Sequence, residues 1–159
     1  MRSPVLFIML FLTTACGYHL RGTIALPEAL NKLFISNASA QLNNAFTNVY
    51  KDKLVKNRAE AELIIKILSE NSSTHTLSTD TSGFSNEYAL IYKLSFDLID
   101  SSGKILNANQ QVKLNKTYFN NQSGSTMLAK DTEAASLRKQ MYQDAVFAIT
   151  NKIRATLTQ

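Results

Sequence analysis

Glu87-Tyr88-Ala89-Leu90-Ile91-Tyr92-Lys93-Leu94-Ser95-Phe96-Asp97-Leu98-Ile99-Asp100 is the stretch that decides the fold. Tyr88, Leu90, Tyr92, Leu94, Phe96 and Leu98 occupy alternate positions, with Ala89, Ile91, Lys93, Ser95, Asp97 and Ile99 between them. Successive side chains of a strand point to opposite faces, so this spacing builds one apolar face and one mixed face. That is the pattern of a sheet covered on one side and partly wet on the other. Ser101-Ser102-Gly103-Lys104 has the composition of a hairpin turn. Ile105 to Phe119 reads as the return strand, more polar, with Val112, Leu114 and Phe119 as its apolar points.

Working upstream, Glu62 to Leu68 alternates through Leu63, Ile65 and Ile67 as a second strand. Glu70 to Ser85 is rich in Ser, Thr and Asn, and is either a loop or a polar continuation of that strand turning back at Thr79-Asp80-Thr81. Gln41 to Lys56 places Leu42, Ala45, Phe46, Val49, Tyr50 and Leu54 on one helical face. Ser39 suits its N-cap, and Asn57 its stop, since Asn tolerates the left-handed conformation. Lys32 to Ser36 is a short apolar strand, preceded over 17–32 by an extended lead-in that contains Pro27. Downstream, Asp131 to Leu157 carries the helical stripe Ala134, Leu137, Met141, Ala145, Ala148, Ile149 and Ile153, with Thr132 and Glu133 in its first turn and Lys152 and Arg154 in its last. Two amphipathic helices need a sheet face to bury against. The expected fold is therefore α+β: a two-layer sandwich with two helices on one face of a mostly antiparallel, mixed four-stranded sheet, in the order β-α-β-β-β-α.

The N-terminus fixes the compartment. Arg2 precedes the apolar run Val5 to Leu12, and Thr13-Thr14-Ala15 leads into Cys16, the one cysteine of the chain. A charged start, a short apolar middle and small residues at the end form a secretory signal. The run is far short of the roughly 20 residues that span a bilayer. A cysteine at the cleavage point makes this a bacterial lipoprotein signal, with Leu12 one place further from Cys16 than usual. Residues 1–15 are then removed, the Cys16 thiol carries a diacylglyceryl group and its freed amine an acyl (palmitoyl) chain. Several buried acyl chains, at about 0.8 kcal/mol per methylene, anchor far better than one. Gly17 is not Asp, so the common inner-membrane retention signal is absent and sorting to the outer membrane is expected. The remainder, 16–159, is the length of one domain. With no second cysteine, its core must hold the fold without a disulfide.

The formal charge is +5, one unit of which, Arg2, leaves with the signal. By itself so mild an excess reads as an ordinary soluble surface; as a polyanion partner for an exported chain, phosphates of anionic lipids are favoured over nucleic acid. No catalytic set is visible. His19 and His75 are the only histidines and lack metal-ligand spacing. Nucleophile-elbow, phosphate-loop and dinucleotide fingerprints are missing. Asp97 and Asp100 point to opposite faces, and every carboxylate reads as a solvated surface group. No catalytic residue, metal or cofactor is expected; the chain reads as a binding and scaffolding protein.

After Cys16 comes Gly17-Tyr18-His19-Leu20-Arg21-Gly22; Asn86-Glu87-Tyr88 opens the long strand; Leu128-Ala129-Lys130-Asp131 precedes Met141-Tyr142. These motifs, spread over nearly the whole mature chain, resemble those of the LPS-assembly lipoprotein LptE family, also called rare lipoprotein B. The resemblance implies two helices on a four-stranded sheet and a lipid anchor on the periplasmic side of the cell outer membrane of a Gram-negative bacterium. It implies a hetero-complex with the β-barrel LptD, in which the lipoprotein is plug and assembly factor, and a role in delivering lipopolysaccharide to the outer leaflet. On that reading Lys130 is a candidate point charge for a lipid A phosphate, with Lys93, Lys113 and Lys116 adding to a basic patch if the strands bring them together. The polar run Asn107 to Gln111 and the loop 71–85 are candidate barrel-facing surfaces. Tyr18, His19, Leu20 and Arg21 mark the family without a role derivable from their chemistry. The competing class is a stand-alone periplasmic lipid-binding or chaperone lipoprotein, which needs an apolar cavity.

Overall fold

The alternating stretch forms a central strand of a four-stranded sheet. A computed structural model describes residues 26–27, 30–79, 81, 83, 85–119 and 127–158, without the side chains of 127–131. The signal sequence, Cys16, Gly17 and the Tyr18–Arg21 motif lie outside the described residues. The elements are β1 (Leu33–Ser36), α1 (Ala40–Tyr50), β2 (Leu63–Thr79), β3 (Ser85–Asp100), β4 (Ile105–Phe119) and α2 (Met127–Leu157), with 3₁₀ turns at Lys51–Lys53 and Arg58–Glu60. The sheet order is β1-β2-β3-β4. β1 runs parallel to β2, and the other neighbours are antiparallel. This is the expected mixed sheet with its two helices.

Leu90, Tyr92, Leu94, Phe96 and Leu98 of β3 are each no more than 2% exposed. They pack against Leu42, Ala45, Phe46 and Tyr50 of α1 and Met141, Ala145, Val146, Ile149 and Ile153 of α2. Burying each of the aliphatic or phenyl side chains stabilises by about 1.5–3 kcal/mol. Slipping β3 by one residue would put Lys93, Ser95 and Asp97 in their place, so the register is strongly fixed. The turn after β3 is local chemistry. The Asp100 carboxylate accepts from Ser102 Oγ at 2.6 Å and from the Lys104 N–H at 2.9 Å, while Gly103 takes φ +90°. Those hydrogen bonds, Ser102 first, hold the Asp100 carboxyl below its usual range.

Several expectations are corrected. α1 ends at Tyr50 rather than Lys56, because the chain tightens into the 3₁₀ turn and Leu54 then bridges beside Leu33. Asn57 is extended at φ −110° and caps the second 3₁₀ turn through Ala59 N–H, so it is no left-handed stop. Val49 is 50% exposed. The lead-in contributes to the core through Leu26 and Leu30. Of the two alternatives for the polar segment after Glu70, loop or strand, the structure has the strand, as far as Thr79. α2 begins at Met127, so the Leu128-Ala129-Lys130-Asp131 motif lies within the start of the helix and not before it.

The change of character along β2 has a definite cause. Ile67 pairs with Phe96 and Ser69 with Ser95, leaving Leu68 as the extra residue of a bulge. Beyond it the helix-facing row passes from Leu63, Ile65 and Ile67 to Glu70, Ser72 and Thr74, which register with Leu94, Tyr92 and Leu90. Glu70 is no solvated carboxylate. It accepts from Ser39 N at 2.9 Å, Ser39 Oγ at 2.6 Å and Tyr92 OH at 2.9 Å. Ser39 Oγ in turn accepts from Leu42 N–H, the expected cap of α1. A carboxylate against the first turn also matches the positive end of the helix dipole. The Tyr92 ring meets Tyr142 of α2 edge-on, with centroids 5.2 Å apart. Glu70 therefore connects β2, the start of α1 and, through Tyr92, α2.

At the other end of α1, Thr150 Oγ1 is buried and donates to the Val146 carbonyl, so Tyr50 OH donates to Thr150 at 2.9 Å. Burial raises the Tyr50, Tyr92 and Tyr142 hydroxyls above 10.0, and the Glu70 charge adds to the rise at Tyr92 and Tyr142.

Two outcomes follow. Glu70→Gln turns an acceptor into an N–H facing donors, and is expected to cost about 1–3 kcal/mol in urea unfolding. Because the tyrosines ionise more readily in the unfolded chain, their contribution is whole below about pH 10 and is lost as pH rises beyond it. The urea midpoint should stay flat through neutral pH and fall above about pH 10, with Tyr92→Phe making that fall shallower.

Candidate binding surface

The helix-free face of the sheet is graded along its length. At one end Phe34, Val55, Ala61, Ile64 and Ile99 form a small apolar cluster. Next, Lys66 registers opposite Asp97. Asp97 accepts the N–H of Asn109, whose φ of +47° marks an irregular point in β4. The following row holds Ser69, Ser95 and Gln111, the two serine hydroxyls 2.6 Å apart. Beyond it Asn71, Lys93 and Lys113 stand side by side on β2, β3 and β4. Lys93 and Lys113 are both exposed. Together with Ser69, Ser95, Asn109 and Gln111 they line a concavity of about 380 Å³.

The strands do not gather all three expected lysines. Lys113 and Lys116 are three positions apart, and period-two alternation sends them to opposite faces. Lys116 registers with buried Leu90 on the helix side, where its Nζ lies 2.9 Å from Asp144 Oδ2 and 3.4 Å from Gln140 Oε1. Lys152 Nζ to Gln110 at 3.1 Å and Asn107 Nδ2 to Thr156 at 3.0 Å continue this stitching of β4 to α2. The polar run Asn107 to Gln111 is thereby divided: Asn107 and Gln110 serve α2, whereas Asn109 and Gln111 line the free-face concavity. Lys130 lies in the first turn of α2, and its side chain is outside the described residues.

A second concavity, of about 500 Å³, separates the helices and is lined by Gln41, Asn44, Asn48, Arg138, Tyr142 and Gln143 among others. Ser73 Oγ and His75 Nε2 are 3.2 Å apart on an open strand, with no carboxylate joined to the ring among the described residues. No group of three metal-ligating side chains occurs among the described residues. No described helix is long and apolar enough to cross a membrane. The free face is equipped to hold an anion: two ammonium groups surrounded by neutral hydroxyls and amides. Asn71, the third member of the lysine row, escaped sequence reasoning; its signal lies only in the strand register.

The comparisons with known proteins agree with this architecture. The LPS-assembly lipoprotein LptE of Yersinia enterocolitica is 26% identical over 167 residues, spanning 96% of this chain and 77% of that protein. Its counterpart in Pectobacterium atrosepticum is 24% identical, over 94% of this chain and 82% of that one. The solution structure of a lipoprotein B from Nitrosomonas europaea superposes with a TM-score of 0.69 at 25% identity, covering 89% of this chain and 93% of that one. A minor lipoprotein from Acinetobacter baumannii shares the fold at a TM-score of 0.62 and 16% identity, over 81% and 94% of the two chains. The family model for lipopolysaccharide assembly, LptE, matches residues 26–153, and the chain belongs to that family.

Proposed function

We propose that this chain is an outer-membrane lipoprotein that partners an LptD-type β-barrel as plug and assembly factor, and helps pass lipopolysaccharide to the outer leaflet. The observation that carries the reading is the family match over 26–153, the whole span from the lead-in to the last turns of α2. The lipoprotein signal ending at Cys16, with Gly17 after it, supports anchoring by acyl chains and sorting to the outer membrane. The lumen of a membrane β-barrel is polar and wet. A plug must hydrogen-bond to it without burying unpaired charge. The strand extension 71–79 supplies Ser and Thr hydroxyls for such contacts. The apolar sheet face is filled by α1 and α2, which speaks against a stand-alone carrier with an internal lipid cavity. Lys130 is proposed to meet a lipid A phosphate as a point charge.

A C-terminally tagged full-length chain, captured from detergent-solubilised outer membranes, is expected to bring down one large β-barrel protein in about equal amount. Recovery of the acylated chain alone, under conditions that preserve other barrel complexes, would overturn the reading. Lys130→Asp should weaken lipopolysaccharide binding by the purified chain while urea unfolding is unchanged; equal binding removes Lys130 from the account.

A further inference from the structure

We infer that Lys93 and Lys113 together form a clamp for a phosphomonoester on a phosphorylated glycolipid, seated on the helix-free face of the sheet. The inference rests on the lipopolysaccharide reading above and names a site for it.

The free face carries an electrostatic imbalance. Residues directly opposite on antiparallel strands have Cβ atoms about 4.5–5.5 Å apart, and like charges so placed are destabilising. Lys93 is registered directly opposite Lys113. Two other sheet lysines have an acid beside them: Lys66 is registered opposite Asp97 on the same face, and Lys116 is paired with Asp144 on the other. On the free face the acids of β3 are distant from the lysine pair. Asp97 lies four positions along the strand, is registered with Lys66 and accepts the Asn109 N–H; Glu87 lies six positions the other way, beside Phe119. At about 3.3 Å per residue these are roughly 13 and 20 Å away. Neither carboxylate is placed to neutralise the pair.

The surroundings fit an anion carried on a sugar. A phosphomonoester bears about two negative charges near neutral pH and presents three acceptor oxygens, enough to bridge two ammonium groups. The row is flanked by Asn71 on β2, by the Ser69–Ser95 hydroxyl pair and by Gln111. These neutral groups both donate and accept, as vicinal sugar hydroxyls require, and they leave the charge of the lysines uncancelled. The concavity of about 380 Å³ is open to solvent and large enough for one phosphorylated sugar ring.

The test uses the full acylated chain in detergent micelles, with diphosphorylated lipid A as probe and phosphate-free lipid A as control. Lys113→Glu is the informative variant, because it replaces a repelling cross-strand pair by an attracting one. Its thermal midpoint should equal or exceed that of the parent, while its affinity for diphosphorylated lipid A falls at least about tenfold; Lys93→Gln with Lys113→Gln should lose affinity similarly. Phosphate-free lipid A should bind more weakly than the diphosphorylated form to the parent, and equally to parent and variants. Undiminished affinity of Lys113→Glu for diphosphorylated lipid A, or equal affinity of the parent for both lipids, overturns the clamp. Barrel capture by the parent chain separates the two failures. Capture without lipid A binding overturns the clamp and leaves the barrel reading standing; lysine-dependent lipid A binding without capture does the reverse.

Discussion

The period-two alternation of β3 is the constraint on which the rest of the molecule depends. It places Leu90, Tyr92, Leu94, Phe96 and Leu98 under both helices, and in doing so commits Lys93, Ser95 and Asp97 to the opposite face. Core and free surface are therefore two consequences of one register. Because β3 is central, its neighbours inherit the same division. β2 and β4 place Asn71 and Lys113 beside Lys93, and Lys116 beside α2. An interaction surface is built here by the same choice that builds the core.

Polar groups do the work of joining layers where apolar contact runs out. α1 is short and covers only part of the sheet, and at its start β2 turns from aliphatic to polar at the Leu68 bulge. Glu70 fills that junction by accepting from the Ser39 N–H and hydroxyl and from Tyr92. Along β4 the same task falls to Lys116, Gln110 and Asn107, each bonded to α2. Among the described residues no buried side-chain nitrogen or oxygen lacks a partner, as a well-formed interior requires. A chain poor in apolar surface on two strands can in this way still hold a long helix.

What could be read from the sequence was what short spacings encode. The β3 strand, the Ser101–Lys104 turn, the Ser39 cap and most of each helix face, though not Val49 or Leu54, rest on patterns within a few residues, and the structure has them. The fate of 70–79 could not be settled, because its pairing with β3 survives a bulge that reverses which positions face the helices. Glu70 was missed because its partners, Ser39 and Tyr92, are 31 and 22 residues away. That Lys113 and Lys116 face opposite ways was implicit in their spacing. That Lys93 meets Lys113 was not, since the register shifts between Phe96 and Leu98 have to be known first. The family motifs before residue 26 carry resemblance without geometry, so they identify the chain and leave the surface to be found on β2, β3 and β4.

Core and free surface both depend on which faces the side chains of β3 and β4 occupy, and solution NMR of the acylated chain in detergent micelles tests that assignment most directly. Backbone cross-strand nuclear Overhauser contacts are expected between Lys93 and Lys113, with Lys116 side-chain contacts to Asp144. Contacts of Lys93 with residue 112 or 114 as its direct partner would shift the register by one. That result would turn Lys113 towards α2 and contradict the shared origin of the core and the binding surface.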